Sequence, residues 1–76
     1  MITVKFYGLM RVESGIRELQ VEAINLKTLY ARLQEAGLNK QELKGCCVLV
    51  NGVPAARTVK LQNGDVVQLL PPVAGG

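Results

Sequence analysis

The stretch at residues 25–38, NLKTLYARLQEAGL, decides the fold. Leu26, Leu29, Tyr30 and Leu33 recur at i, i+3, i+4 and i+7, which makes one apolar stripe on a helix. Lys27, Arg32, Gln34 and Glu35 take the other side. Asn25 precedes the stripe and is a good N-cap, because its side-chain oxygen can accept from a backbone N–H that the helix leaves unpaired. Thr28 stands third in the helix, where a capping box has Glu or Gln, so no box is expected. Gly37 stops the helix, and Leu38 folds back over its last turn. The predicted helix spans residues 26–36 and has one apolar face to bury.

On both sides of it the period changes to two. In residues 2–7, Ile2, Val4 and Phe6 share one face and Thr3, Lys5 and Tyr7 the other, the mark of a half-buried strand. The segment GLMRVESG at 8–15 reads as a loop. IRELQVE at 16–22 alternates again, with Leu19 and Val21 inward and Glu18, Gln20 and Glu22 outward, so a hairpin with a long loop is expected. After the helix, NKQELKG at 39–45 fits one short helical turn capped by Asn39, with Glu42 three residues on. CCVLVNG at 46–52 is the strongest strand, closed by Asn51-Gly52, a pair suited to a type I′ turn. VPAARTVKL at 53–61 is weak and belongs at an edge, since Pro54 cannot donate to a ladder. QNGD turns at 62–65, and VVQLL at 66–70 is the last strand. The fold class is α+β: a sheet with one main helix packed across one face. The other face meets water or a partner. Residues 1–70 form the domain and residues 71–76 a tail.

Composition limits what such a domain does. Its 76 residues, 49% hydrophobic, supply one core. No stretch approaches the roughly 20 apolar residues of a membrane span. MITVKFYG lacks the basic and apolar regions of a signal peptide, so a cytoplasmic address is expected and no membrane partner. The net charge is +3, but the basic residues are scattered from Lys5 to Lys60 without a run. A nucleic-acid footprint would show a clustered patch with stacking aromatics, so no nucleic-acid partner is expected.

Catalytic parts are missing. There is no histidine to serve as a base. Glu13, Glu18, Glu22, Glu35, Glu42 and Asp65 are spread over turns and polar faces. Without histidine or a CxxC a zinc site has no ligands, so no metal is expected. Cys46 and Cys47 are neighbours, and neighbours in a strand point to opposite faces, which disfavours a disulfide. Placed mid-strand, Cys46 shares parity with Val48 and Val50 and faces the core. Cys47 shares parity with Leu49 and faces out. A nucleophilic cysteine would need a nearby cation or helix N-terminus to lower its pKa, and free cysteine is commonly a small buried hydrophobe, so neither is expected to be catalytic.

The end, LLPPVAGG, remains. Two readings of it stand. A frayed terminus tolerates any composition. A delivery tail would use each residue. Pro71 and Pro72 favour an extended conformation of about 3.1 Å per residue, so residues 71–76 could reach about 20 Å. Val73 and Ala74 offer a partner something to grip. Gly75 and Gly76 lack Cβ atoms and fit a narrow slot. The group delivered is the α-carboxylate of Gly76, a poor electrophile until ATP converts it to an acyl-adenylate open to a nucleophile such as sulfur.

Taken whole, the chain resembles the ubiquitin-like β-grasp sulfur carriers of the MoaD/ThiS type, most closely the small subunit of molybdopterin synthase. The resemblance is carried by Phe6 ending the first strand, VNG at 50–52, LQNGD at 61–65 and LPPVAGG at 70–76. YGLMRVESG at 7–15 departs from the family's usual segment. The resemblance implies a β-grasp fold in which the terminal strands lie side by side and parallel. It implies that a MoeB-type, E1-like enzyme adenylates Gly76 with ATP, and that a cysteine desulfurase or rhodanese-type donor supplies sulfur for a thiocarboxylate. The carrier itself binds no cofactor. A MoaE-type large subunit then receives the tail, Pro71 to Gly76, and docks on a sheet face carrying Cys47, Leu49, Gln68 and Leu70. The cysteines take no part in the transfer. Sulfur transfer for thiamin or another sulfur-containing metabolite, and ubiquitin-like conjugation, remain alternatives.

Overall fold

In the computed structural model, which describes residues 1–8, 15–56 and 58–71, the chain forms a mixed sheet with a helix across one face. The strands are β1 (Ile2–Phe6), β2 (Glu18–Val21), β3 (Cys47–Val50), β4 (Val53–Pro54) and β5 (Val66–Leu70). The helices are α1 (Leu26–Glu35) and α2 (Lys40–Gly45). Across the sheet the order is β2-β1-β5-β3-β4. β1 and β5 run parallel, with Thr3 opposite Val66 and Phe6 opposite Leu69. The remaining pairs are antiparallel. The terminal strands are thus central neighbours, and β4, with Pro54, is an edge.

The core follows the two periods. Ile2, Val4 and Phe6 of β1 and Val67 and Leu69 of β5 are buried on one sheet face. Leu29 and Leu33 of α1 are fully buried against that layer, and Leu38, Leu43 and Leu61 close its margins. Leu19 and Val21 are half-buried while Glu18, Gln20 and Glu22 are exposed.

Three local expectations need correction. The helix ends at Glu35, with Ala36 as its C-cap. Gly37 N–H then bonds Gln34 O at 3.0 Å and Leu38 N–H bonds Leu33 O at 3.0 Å, the pair of bonds that closes a Schellman motif. A capping box does exist at the other end. Thr28 N–H donates to Asn25 Oδ1 at 2.9 Å, and Asn25 N–H donates to Thr28 Oγ1 at 3.2 Å. A threonine hydroxyl accepts as a glutamate carboxylate would, and reaches because Asn25 is extended. Finally, Cys46 is not in a strand. It caps α2, and its thiol donates to Glu42 O at 3.1 Å.

The two turns at the far end from the tail are tied together. Asn51 and Gly52 both have positive φ, 52° and 82°, as a type I′ hairpin turn requires. Asn51 also commits both ends of its amide to neighbouring residues. Its Nδ2 donates to Asp65 Oδ1 at 3.0 Å, and its Oδ1 accepts from Val66 N–H at 2.9 Å. Asp65 in turn accepts from Gln62 N–H at 2.8 Å. VNG and LQNGD are therefore one structural unit that sets the register of β3 on β5.

Candidate functional site: the open sheet face

The sheet face away from α1 is built by the residues that alternate with the core. One row crosses all five strands. Glu18 lies opposite Lys5, Lys5 opposite Gln68, Gln68 opposite Leu49, and Leu49 opposite Pro54. The row passes from charged at β2 to apolar at β4. Beside it, Cys47 lies opposite Leu70. Cys47, Leu49, Gln68 and Leu70 therefore form one contiguous patch. Leu49, Gln68 and Leu70 are half-buried and Cys47 is exposed.

Sequence reasoning overlooked two members of this patch. The Gln68 side-chain amide donates to the Tyr7 hydroxyl at 3.1 Å, which brings the residue after β1 onto β5. Pro54 extends the apolar end to the sheet edge. The alternation of residues 2–7 already puts Tyr7 on this face; its contact with Gln68 depends on the parallel pairing of β1 with β5.

The cysteines have separate environments. Burial pushes the Cys46 thiol up from its usual range, and neighbouring Cys47 and Glu42 add to the shift. A thiol held protonated and hydrogen-bonded is a weak nucleophile. Between α1 and the β3–β4 side of the sheet lies an open groove of about 820 Å³, lined among others by Leu26, Lys27, Tyr30, Lys44, Cys46 and Cys47. Burial also raises the Tyr30 phenol, with Cys46 contributing. Among the described residues no three His, Cys, Asp or Glu side chains gather where they could hold a metal. Among them, too, no helix is long and apolar enough to cross a membrane.

The patch runs up to the root of the tail. Pro71 follows Leu70 directly and is exposed. Pro72, Val73, Ala74, Gly75 and Gly76 lie outside the described residues.

The profile of the ThiS family matches residues 4–76, nearly the whole chain. The chain belongs to the ThiS family. It is a ubiquitin-like sulfur carrier of the ThiS/MoaD type, on a β-grasp fold. Among solved structures it is similar to a chain from the complex of subunits 1 and 2 of molybdopterin-converting factor from Helicobacter pylori. The two are 34% identical, with 99% of this chain and 97% of that one covered and a TM-score of 0.76. SAMP1 from Haloferax volcanii is 24% identical, with 99% and 98% covered and a TM-score of 0.83. A chain of the BexX/CysO complex from Amycolatopsis orientalis is 19% identical over the full length of both chains, with a TM-score of 0.66. The last two show the shared fold. No curated protein sequence matches the chain significantly.

Proposed function

We propose that this ThiS-family carrier is the sulfur-donating small subunit of a molybdopterin synthase. The observation that carries the reading is the 34% identity, over 99% of the chain, to a chain of the molybdopterin-converting factor complex. The match of the family profile through residue 76 supports a role for the terminal Gly-Gly.

On this reading a MoeB-type, E1-like enzyme presents ATP to the Gly76 carboxylate. One carboxylate oxygen attacks the α-phosphate, pyrophosphate leaves, and the carbonyl carbon becomes electrophilic. The terminal sulfur of a desulfurase or rhodanese-type donor's persulfide attacks that carbon and AMP leaves. A thiol then attacks the donor-side sulfur of the resulting acyl disulfide, breaking its S–S bond and forming a new disulfide with the donor cysteine, so sulfur ends on Gly76 as a thiocarboxylate. The carrier needs no cofactor of its own. Its open face, through Cys47, Leu49, Gln68 and Leu70, docks on a MoaE-type subunit. Residues 71–76 enter that subunit's active site, where sulfur passes to a pterin precursor in the cytoplasm. The catalytic side chains come from the partners, in keeping with the lack of histidine here.

Reconstitution tests the pathway. Thiocarboxylated carrier, a MoaE-type subunit and the pterin precursor should together yield a dithiolene-bearing pterin and return the carrier with a carboxylate. If the carrier instead gives up its sulfur only to a thiazole synthase, it serves thiamin-type chemistry. An amide between Gly76 and a lysine would make it a conjugation module.

A further inference from the structure

At the root of the tail the structure contains a contact that neither the fold nor the docking face requires. The β1–β5 register pairs Phe6 with Leu69, so its continuation brings Gly8 level with Pro71. Both strands have ended there. Pro71 has no N–H to continue the ladder. Gly8 turns β1 away with φ +67°, a conformation that L side chains rarely adopt. The space that turn leaves is filled by the proline ring. A Cβ on Gly8 would sit 2.7 Å from Pro71 Cγ and 3.2 Å from Cδ, but 3.6 Å from Cβ, an ordinary contact. A Cβ at Gly15, Gly37, Gly52 or Gly64, by contrast, would meet nothing within 4 Å. One residue away, the Tyr7 hydroxyl accepts from the Gln68 side chain on the open face.

We propose that Gly8 is a positioning residue for sulfur loading: by leaving room for the Pro71 ring, it fixes where and in which direction the chain leaves the sheet towards Gly76. The inference rests on the reading of residues 71–76 as the sulfur-bearing tail. The physical claim is one of leverage. A side chain at position 8 forces the ring aside, and the reacting carboxylate lies further along the chain, at Gly76. Docking through Leu49 and Leu70 does not involve this contact, so loading should lose rate rather than affinity.

The test is a four-member set: parent, Gly8→Ala, Pro71→Ala and the double variant. Each is assayed for thiocarboxylate formation with an E1-like enzyme, ATP and a sulfur donor. With Pro71 in place, Gly8→Ala should lower kcat by about 10- to 100-fold, the scale expected for a misplacement of about 1 Å, with KM for the carrier within about twofold. In the Pro71→Ala background the ring atoms at 2.7 and 3.2 Å are gone, so the same substitution should change kcat by less than about twofold. The strain of a left-handed alanine is present in both backgrounds, so the fall in Tm should be similar in the two. That separates steric positioning from destabilisation. An equal kcat loss in both backgrounds, or none in either, overturns the inference. If the parent itself takes up no sulfur, the functional reading falls and NMR decides the positioning claim. Gly8→Ala should then leave the amides of residues 73–76 unshifted in the Pro71→Ala background and shift them with Pro71 in place. Unchanged shifts there overturn it.

Discussion

Asn51 and Asp65 stand 14 residues apart and act as one hydrogen-bonded unit, which gives the fold a definite response to acid. Hydrogen bonds from Gln62 N–H, and then from the Asn51 amide, hold the Asp65 carboxyl below the usual carboxylate range. A carboxylate whose folded pKa is depressed stabilises the fold above its unfolded value of about 3.9, and that stability is lost as pH falls through the folded value. Thermal unfolding measured against pH should therefore show an acid limb, starting at about pH 4, that is shallower in Asp65→Asn. Equal limbs would remove Asp65 from the account. The cysteines offer a second check at this scale. Cys47 is exposed, whereas Cys46 is half-buried with its thiol donated to Glu42 O and its pKa raised. Alkylation near neutral pH should modify Cys47 first and Cys46 much more slowly, as read by peptide mass spectrometry. Equal rates would contradict that placement. Strand parity gave Cys46 the right side for the wrong reason: α2 ends at Gly45, but β3 begins only at Cys47, so the helix end, rather than the pleat, turns the thiol inward.

At the scale of elements, α1 offers a direct test of the packing between helix and sheet. Leu29 and Leu33 are fully buried between the helix and the β1–β5 layer. Truncating Leu33 to Ala should cost about 2–5 kcal/mol through lost burial and a residual cavity. Small domains have about 5–15 kcal/mol in all, so unchanged thermal unfolding of Leu33→Ala would refute the helix placement. The cap is a smaller lever: Asn25→Ala should cost about 1 kcal/mol. This element was legible because four apolar residues recur at helical spacing and Gly37 ends them. The capping box was not, because the familiar pattern looks for Glu or Gln, while the hydroxyl of Thr28 makes the same bond at shorter reach. β4 was legible only as a weakness. Pro54 marks an edge, but the ladder's stop after Val53–Pro54 depends on pairing with β3 that no local pattern encodes.

For the whole molecule, periodicity predicts which residues face the core, but not which strands are neighbours. The central parallel pair of β1 and β5 joins the two ends of the chain, and the expectation came from family resemblance together with strand order. The antiparallel pairing of β3 with β5 brings Cys47, Leu49, Gln68 and Leu70 together on the open face, although they come from two segments separated by a turn and an edge strand. The patch is the proposed docking surface. Leu49→Glu and Leu70→Glu should fold like the parent and bind the large subunit or the activating enzyme about 10-fold or more weakly, by the loss expected for a central apolar contact. If both bind like the parent, the interface lies elsewhere. The proposed role of the tail rests on residue chemistry together with the family match: two prolines to extend, two glycines to pass a narrow channel, one carboxylate to react. The Gly8–Pro71 contact was not, because it needs the register of two strands from opposite ends of the chain.

The central claim is that sulfur is carried on the carboxylate of Gly76, and intact-mass spectrometry tests it most directly. Parent and a variant with one residue added after Gly76 are incubated with an E1-like activating enzyme, ATP and a sulfur donor. The added residue turns the Gly76 carboxylate into a peptide amide without touching the folded domain. The parent should gain the mass difference between oxygen and sulfur, confined on digestion to the C-terminal peptide, while the extended variant should stay at its starting mass. Thiolation of the extended variant to the same extent as the parent, without proteolytic trimming, would contradict the account.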